Sequence, residues 1–276
     1  GTLAKLLEAA SFWAARNRMV TRAGVGEVTQ KLLKVKVGLK SSPRHLSNLK
    51  SRLGRFAGDF EKYICDITTP EIQDWLDGLG LSNCSYANYR RVLHALFEFA
   101  VARGFATENP VKATQVVKAE NIDVQVFTPA ELRKLLSSAS DEFLPSIVLG
   151  AFAGLRSSEV KRLTWGDIRL NDRHIVIGKD KAKTASRRIV PIWDNCADWL
   201  APYGFRSGYV WSGSYFQFYA EQKRTAKAAG IRWKRNGLRH SYASYRFAQI
   251  MDAGRVAGEL GNSASIIHRH YRELVT

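Results

Sequence analysis

Apolar residues recur at helical spacing through most of the first hundred positions. From Leu3 to Ala15 they mark a first helix, which gives way to Arg16, Arg18 and Arg22 before a glycine break at Gly24 and Gly26. Ser42-Pro43 opens a second, running to Phe60, with Leu46, Leu49, Leu53 and Phe56 on one face and Arg44, Lys50, Arg52 and Arg55 on the others. Thr68-Thr69-Pro70-Glu71 supplies a cap and a proline start for a third, ending at Leu79. Ser85 opens a fourth, Tyr86 to Arg103, with core positions Tyr89, Val92, Leu96 and Phe99, and Gly104 stops it. Four helices without a strand, closed by Asn109-Pro110, predict a helical domain over residues 1–110.

Periodicity weakens over residues 111–126, which reads as a linker, partly extended. A capping box, Thr128 to Glu131, then opens a helix, and an apolar run from Leu144 to Leu155 predicts a buried one ending near Gly154. Ser157 or Ser158 caps the next, turning Val160 and Leu163 inward. His174–Ile177 and Arg188–Ile192 are short β-branched runs on either side of a lysine-rich stretch, the pattern of a hairpin with a basic tip. Helices follow over Asp194–Leu200 and Phe216–Ala229. The stretch from Asn236 to Tyr271 reads as two helical segments divided by the turn Gly261-Asn262-Ser263. The fold class is therefore mainly α with a small antiparallel β-sheet, the sheet lying in a second domain over residues 127–276.

Charge sharpens this picture. Lys and Arg number 42 against 25 Asp and Glu, a formal +17 with a sequence pI near 10.0, while 45% of residues are hydrophobic. The excess is even, 17 basic against 10 acidic through Gln115 and 25 against 15 after it, so both domains are expected to lie along one extended polyanion. Cys65, Cys84 and Cys196 are odd in number and far apart, which fits neither a zinc site nor a disulfide frame and suits a reducing cytoplasm. No apolar run is long enough for a bilayer span, and no secretory signal opens the chain, so a cytoplasmic, nucleoid-associated protein is expected.

Candidate chemistry sits at element junctions: Arg156 in GLRSSEV, Lys183 at the hairpin tip, and Arg239 in NGLRHSYAS, with Tyr271 near the end. Guanidinium donates bidentate bonds to phosphate oxygens and stays charged, and a phenol can attack phosphorus. Each residue alone reads equally as structural or solvated. Their order changes this. The chain resembles the tyrosine recombinase, or phage integrase, family, in which an Arg in GLR-x-x-E, a β-hairpin Lys, an LRH segment and an LG-x-S…Y segment occur in sequence, as Arg156 with Glu159, Lys183, Arg239 and Gly261 to Tyr271 do here. TPEIQDWLDGL, YRRVLHALFEFAVARG and ENP look like that family's helical (SAM-like) core-binding domain.

The resemblance implies site-specific cleavage and rejoining of double-stranded DNA through a 3′-phosphotyrosyl link on Tyr271, with no metal or nucleotide cofactor. Arg156 and Arg239 would grip the non-bridging oxygens and a lysine of the hairpin tip would protonate the departing 5′ oxygen, Lys183 by its KT context, with Lys179 and Lys181 on the same tip as the alternatives. Glu159, one turn from Arg156, supports it rather than acting as an acid. Asn236 and Asn262 stand where the family most often has His, and His or Trp. Asn donates a hydrogen bond but shuttles no proton, so an alternative is a catalytically impaired relative that binds DNA as a regulator or architectural protein. His240 is expected to point away from the site as a structural residue, and His268, one turn before Tyr271, either to stand in for the missing histidine or to be solvated or face DNA. A type IB topoisomerase-like enzyme shares the chemistry, but the core-binding segment argues against it. Arg44, Lys50, Arg90, Arg91, Lys181, Arg187 and Arg188 are the candidate backbone contacts, each reading equally as an ordinary solvated charge. The resemblance also implies a tetramer on paired sites, with a free chain that is monomeric.

Overall fold

The structure, a computed structural model, describes residues 2–16, 20–118, 124–178 and 187–271, without the side chains of residues 11–16 and 270. It divides into two compact units, Gly1–Asn121 and Ile122–Thr276.

The first unit is helical. Helix α1 (Thr2–Arg16) leaves Leu3, Leu6 and Leu7 exposed. Helix α2 (Val25–Gly38) runs through the expected glycine break: Gly24 is its N-cap and Gly26 its second residue. Val25, Val28, Thr29 and Leu32 are its buried stripe at i, i+3, i+4 and i+7, and burial of that stripe outweighs the weak helix propensity of valine and glycine. Helix α3 (Pro43–Asp59) starts with the Ser42 side chain accepting from His45 N, and buries Leu49, Leu53 and Phe56. Helix α4 (Thr69–Gly78) has the full capping box between Thr68 and Glu71. Helix α5 (Asn83–Ala102) begins three residues before the expected Tyr86, because Ser82 rather than Ser85 is the cap. It buries Tyr86, Leu93, Leu96, Phe97 and Ala100, with Tyr89, Val92 and Phe99 packed partly against the same core.

Phe56 meets the partly buried Trp75 and the fully buried Phe97 edge-on at centroid separations of 5.0 and 6.2 Å, and the fully buried Phe56 and Phe97 side chains each contribute about 1.5–3 kcal/mol. Part of the expected linker belongs to this unit. Residues Pro110–Ala113 form a 3₁₀ turn, Val111 and Thr114 are buried, and Val117 packs on the core.

The second unit surrounds a small sheet. Helices α6 (Pro129–Ser138), α7 (Leu144–Phe152) and the short α8 (Ser157–Val160) lead into β1 (Ile168–Arg169), β2 (His174–Ile177) and β3 (Arg188–Pro191). The strands are antiparallel in the order β1-β2-β3, with Ile175 opposite Val190 and Ile177 opposite Arg188. Helices α9 (Asp194–Leu200), α10 (Tyr215–Ala228), α11 (Gly237–Ile250), α12 (Ala253–Leu260) and α13 (Ala264–Tyr271) follow. Ile147, Val148 and Leu149 of α7, fully buried, join Phe127, Phe143, Ile175, Ile177 and Val190 in the main core.

The stretch expected to hold two helical segments holds three. Met251 enters the left-handed region at φ 51° and ends α11, and the Asp252 side chain then accepts from Arg255 N to cap α12. Val256, Leu260, Ile267, Tyr242 and Phe247 close α11, α12 and α13 around a second core, which includes Tyr271. No described helix is long and apolar enough to cross a membrane. The fold is thus mostly helical with a small three-stranded antiparallel sheet, as expected.

Candidate active site

Two tight turns frame the site. Gly154, at φ +65°, follows α7, and an added Cβ would stand 2.6 Å from Tyr242 and Leu260 side chains. Gly261, at φ +62°, ends α12, and an added Cβ would stand 3.2 Å from Arg188 Cδ. Both positions need glycine for conformation and for space. The turns present carbonyls, Gly154 O and Leu260 O, that hold a guanidinium in place.

Arg239, on the first turn of α11, is 6% exposed and donates from Nη1 to Gly154 O at 2.6 Å and from Nη2 to Leu260 O at 2.7 Å. Arg156, at the start of α8, donates from Nη2 to Asn262 Oδ1 at 2.8 Å and from Nη1 to Glu159 Oε1 at 3.0 Å. The two turns thus carry both arginines, Arg156 and Arg239, which lie 83 residues apart in the chain.

Glu159 is the anion of the cluster. It is fully buried, and its Oε2 accepts from Arg156 N at 2.9 Å, closing the first turn of α8. Arg188, from β3, donates to it bidentately, Nη2 to Oε2 at 2.8 Å and Nη1 to Oε1 at 3.0 Å, and from Nε to Glu259 O at 3.1 Å. Burial raises the Glu159 pKa, but the Arg188 bonds and the charges of Arg188 and Arg156 outweigh it and leave the carboxyl below its ordinary value. Three guanidiniums around one carboxylate leave a net positive pocket. Burial first, and then the Arg156 charge, push Arg239 down to about 9, still a cation at neutral pH.

Tyr271, on α13, is 4% exposed, and its Oη lies 2.7 Å from His240 Nδ1. Burial raises its pKa, against the opposing pull of Arg239 and Arg156. That pull places the phenol within the field of both arginines. Arg239 and Arg156 are held at neighbouring positions of one turn, Leu260 O and Asn262 Oδ1, and the Tyr271 hydroxyl is held by the residue that follows Arg239, so a phenol, two guanidiniums and an imidazole gather where this turn adjoins α8, α11 and α13.

Several expectations need correction. His240 does not point away: α13 passes beside α11, so the residue after Arg239 meets the hydroxyl of Tyr271. His268 is exposed, as its solvated reading expects, and lies edge-on to Phe247 at 5.9 Å. Arg188 is not a surface contact for a polyanion but a buried partner of Glu159, its side chain 9% exposed. It shares the inward face of β3 with Val190, and period-two alternation was the signal for that. Arg90 is likewise internal, donating to Thr114 Oγ1 at 2.9 Å and to the Val111, Lys112 and Thr114 carbonyls.

Asn236 is exposed at φ 54° before α11, whereas Asn262 touches Arg156, so the two asparagines are not equivalent. Arg44, Lys50, Arg91 and Arg187 are exposed. Lys181 and Lys183 lie outside the described residues.

Comparison with known proteins bears on this arrangement. Residues 125–274, over half the chain, match the model described as "Phage integrase family". The tyrosine recombinase XerD of Rickettsia conorii (strain ATCC VR-613 / Malish 7) is 27% identical over 130 residues, 41% of this chain and 42% of that protein. IntQ of Escherichia coli (strain K12), described as defective, is 26% identical over 105 residues, 38% of this chain and 26% of that protein. The chain thus spans less than half the length of either relative. Among solved structures, a lambda integrase dimer bound to a COC′ core site shares the fold at TM-score 0.78 and 19% identity, over 98% of this chain and 83% of that one. The Tn1549 transposon integrase in complex with transposon right end DNA does so at TM-score 0.73 and 16% identity, over 92% and 96%. With the family model spanning the unit in which the arginines, Glu159 and Tyr271 converge, the chain belongs to the phage integrase family of tyrosine recombinases.

Proposed function

We propose that this protein is a site-specific DNA recombinase that cleaves and rejoins strands through a 3′-phosphotyrosyl intermediate. The observation that carries the reading is the gathering of Arg156, Arg239 and Tyr271, the last through His240, in one positive cluster from three separate elements. Each guanidinium has five N–H donors, and the bonds to the turns and to Glu159 use only some of them. The remainder serve the non-bridging oxygens of a backbone phosphate, where they stabilise the charge of the pentacoordinate transition state. Asn262, whose Oδ1 accepts from Arg156, has an amide N–H to add to that set. Tyr271 Oη attacks phosphorus from about 3–3.5 Å and the 5′ oxygen departs in line. Lys183 protonates it, and Glu159 acts by fixing Arg156 rather than by moving a proton. Asn236, exposed and outside the hydrogen-bonded cluster, contributes at most a bond to DNA.

The partner is double-stranded DNA. Arg44, Lys50, Arg91, Arg187 and Lys181 contact its backbone, the first unit acting as a clamp and the second as the breaking and rejoining unit. The chain is monomeric when free and assembles as a tetramer on paired sites, in the cytoplasm at the nucleoid. A solved lambda integrase is described as a tetramer bound to a Holliday junction, which supports that assembly.

The test is covalent trapping. A duplex is selected from a randomised pool by binding to the Tyr271→Phe chain, then nicked so that the released 5′-hydroxyl strand diffuses away. The native chain is expected to accumulate on it as a covalent complex resistant to denaturation. Binding without any such complex would leave a DNA-binding protein and remove the strand-cleavage claim.

A further inference from the structure

Strand cleavage by a tyrosine requires that its proton leave as the oxygen–phosphorus bond forms. The Tyr271 hydroxyl is buried, so it cannot rely on bulk water. Its partner is His240 Nδ1 at 2.7 Å, a length suited to an O–H donating to an imidazole nitrogen, with the two rings 5.8 Å apart at 41°. Among the described residues, the other groups considered are unsuited. Glu159 is saturated by Arg156 and Arg188. Asn262 and Asn236 are amides without useful basicity, and His268 faces Phe247.

Resting on the strand-cleavage reading above, we propose that His240 is a catalytic residue: the general base that takes the Tyr271 proton during attack and returns it during rejoining. The imidazole carries its own hydrogen on Nε2 and accepts the phenolic O–H at Nδ1. As Oη bonds to phosphorus, the O–H bond breaks and its proton passes to Nδ1. The bond from phosphorus to the 5′ oxygen breaks with its electron pair on that oxygen, which is protonated from the leaving-group side. The imidazolium formed is offset by the growing negative charge of the phosphorane. In the reverse step the 5′-hydroxyl returns its proton to the leaving-group side as its oxygen bonds to phosphorus, the bond from phosphorus to Oη breaks, and the departing phenolate recovers its proton from Nδ1. One turn of α11 thus aims consecutive residues at the two halves of the reaction, Arg239 at the phosphate and His240 at the nucleophile, about 100° apart around the helix. Burial, which holds the phenol protonated at neutral pH, makes a base necessary.

His240→Asn tests this, because its amide occupies the Nδ1 position and keeps a hydrogen bond but accepts no proton. On the nicked duplex defined above, covalent complex formation is expected to slow by about 10²–10⁴-fold, with binding to that duplex unchanged. A second substrate carries sulfur in place of the departing 5′ oxygen, a leaving group that needs no proton. It is expected to restore Lys183→Ala but not His240→Asn. In a third arm, added imidazole is expected to accelerate His240→Ala, a response that loss of packing alone does not produce and that also serves if His240→Asn folds poorly. Cleavage by His240→Asn close to the native rate, or its full recovery on the sulfur substrate, would overturn the assignment. No covalent complex from the native chain would instead overturn the strand-cleavage reading beneath it.

Discussion

Replacing Glu159 by Gln removes the carboxylate that Arg156 and Arg188 share, and the structure sets the size of the effect. Glu159 is fully buried, with side-chain exposures of 18% for Arg156 and 9% for Arg188. Breaking a buried ion pair from one side costs about 3–5 kcal/mol, because the charge left behind has lost its water and its partner. Arg156 is open enough to rehydrate in part, so we expect the lower figure, about 3 kcal/mol. For a unit the size of Ile122–Thr276, that lowers Tm by roughly 6–12 °C. The assay is thermal denaturation of both proteins across pH.

The sign with pH follows from the depressed Glu159 pKa. Its contribution is complete above the ordinary carboxyl value, about 4.3, and fades as pH falls through the folded-state value. The gap between native and Glu159→Gln should therefore be full at neutral pH and close in acid. Adding Arg188→Met to Glu159→Gln should cost less than the sum of the two alone, since the partners couple. Equal melting temperatures at neutral pH, or a gap that widens in acid, would refute the reasoning.

Three further outcomes are expected. Gly261→Ala forces a side chain into the left-handed region and against Arg188, so it should cost at least about 1–2 kcal/mol and slow covalent complex formation, read by melting and by trapping. Arg90→Met should destabilise the first unit by about 1–3 kcal/mol because it removes the guanidinium donor from Thr114 Oγ1 and from the Thr114 carbonyl, whereas Arg91→Met should leave the melting temperature unchanged. Arg44→Ala and Lys50→Ala should each weaken DNA binding and reduce the slope of log affinity against log salt by about one, measured by fluorescence anisotropy.

What the sequence disclosed was local or linear. Capping at Thr68 and Thr128, the apolar stripe of α3 and the β-branched runs of β2 and β3 each follow from a few adjacent residues, and the structure has them. Helix α2 was hidden because glycine and valine argue against a helix locally, and only packing of Val25, Val28 and Leu32 reverses that. The end of α11 at Met251 carries no glycine or proline, and the Asp252 cap was its sole cue. Arg188 and His240 were misplaced for a common reason. Each is read on its own element as a polar residue pointing somewhere, while its role depends on a distant element, Glu159 of α8 for one and Tyr271 of α13 for the other. Such meetings belong to tertiary structure, and one-dimensional spacing does not carry them.

The central claim is that Tyr271 is the atom source of a covalent link to DNA. Proteolysis of the trapped complex, followed by mass spectrometry of the peptides, reads the attachment point directly. The account predicts one adduct, on Tyr271, joined to the 3′ end of the cleaved strand. A link to another side chain, or to the 5′ end, would contradict it.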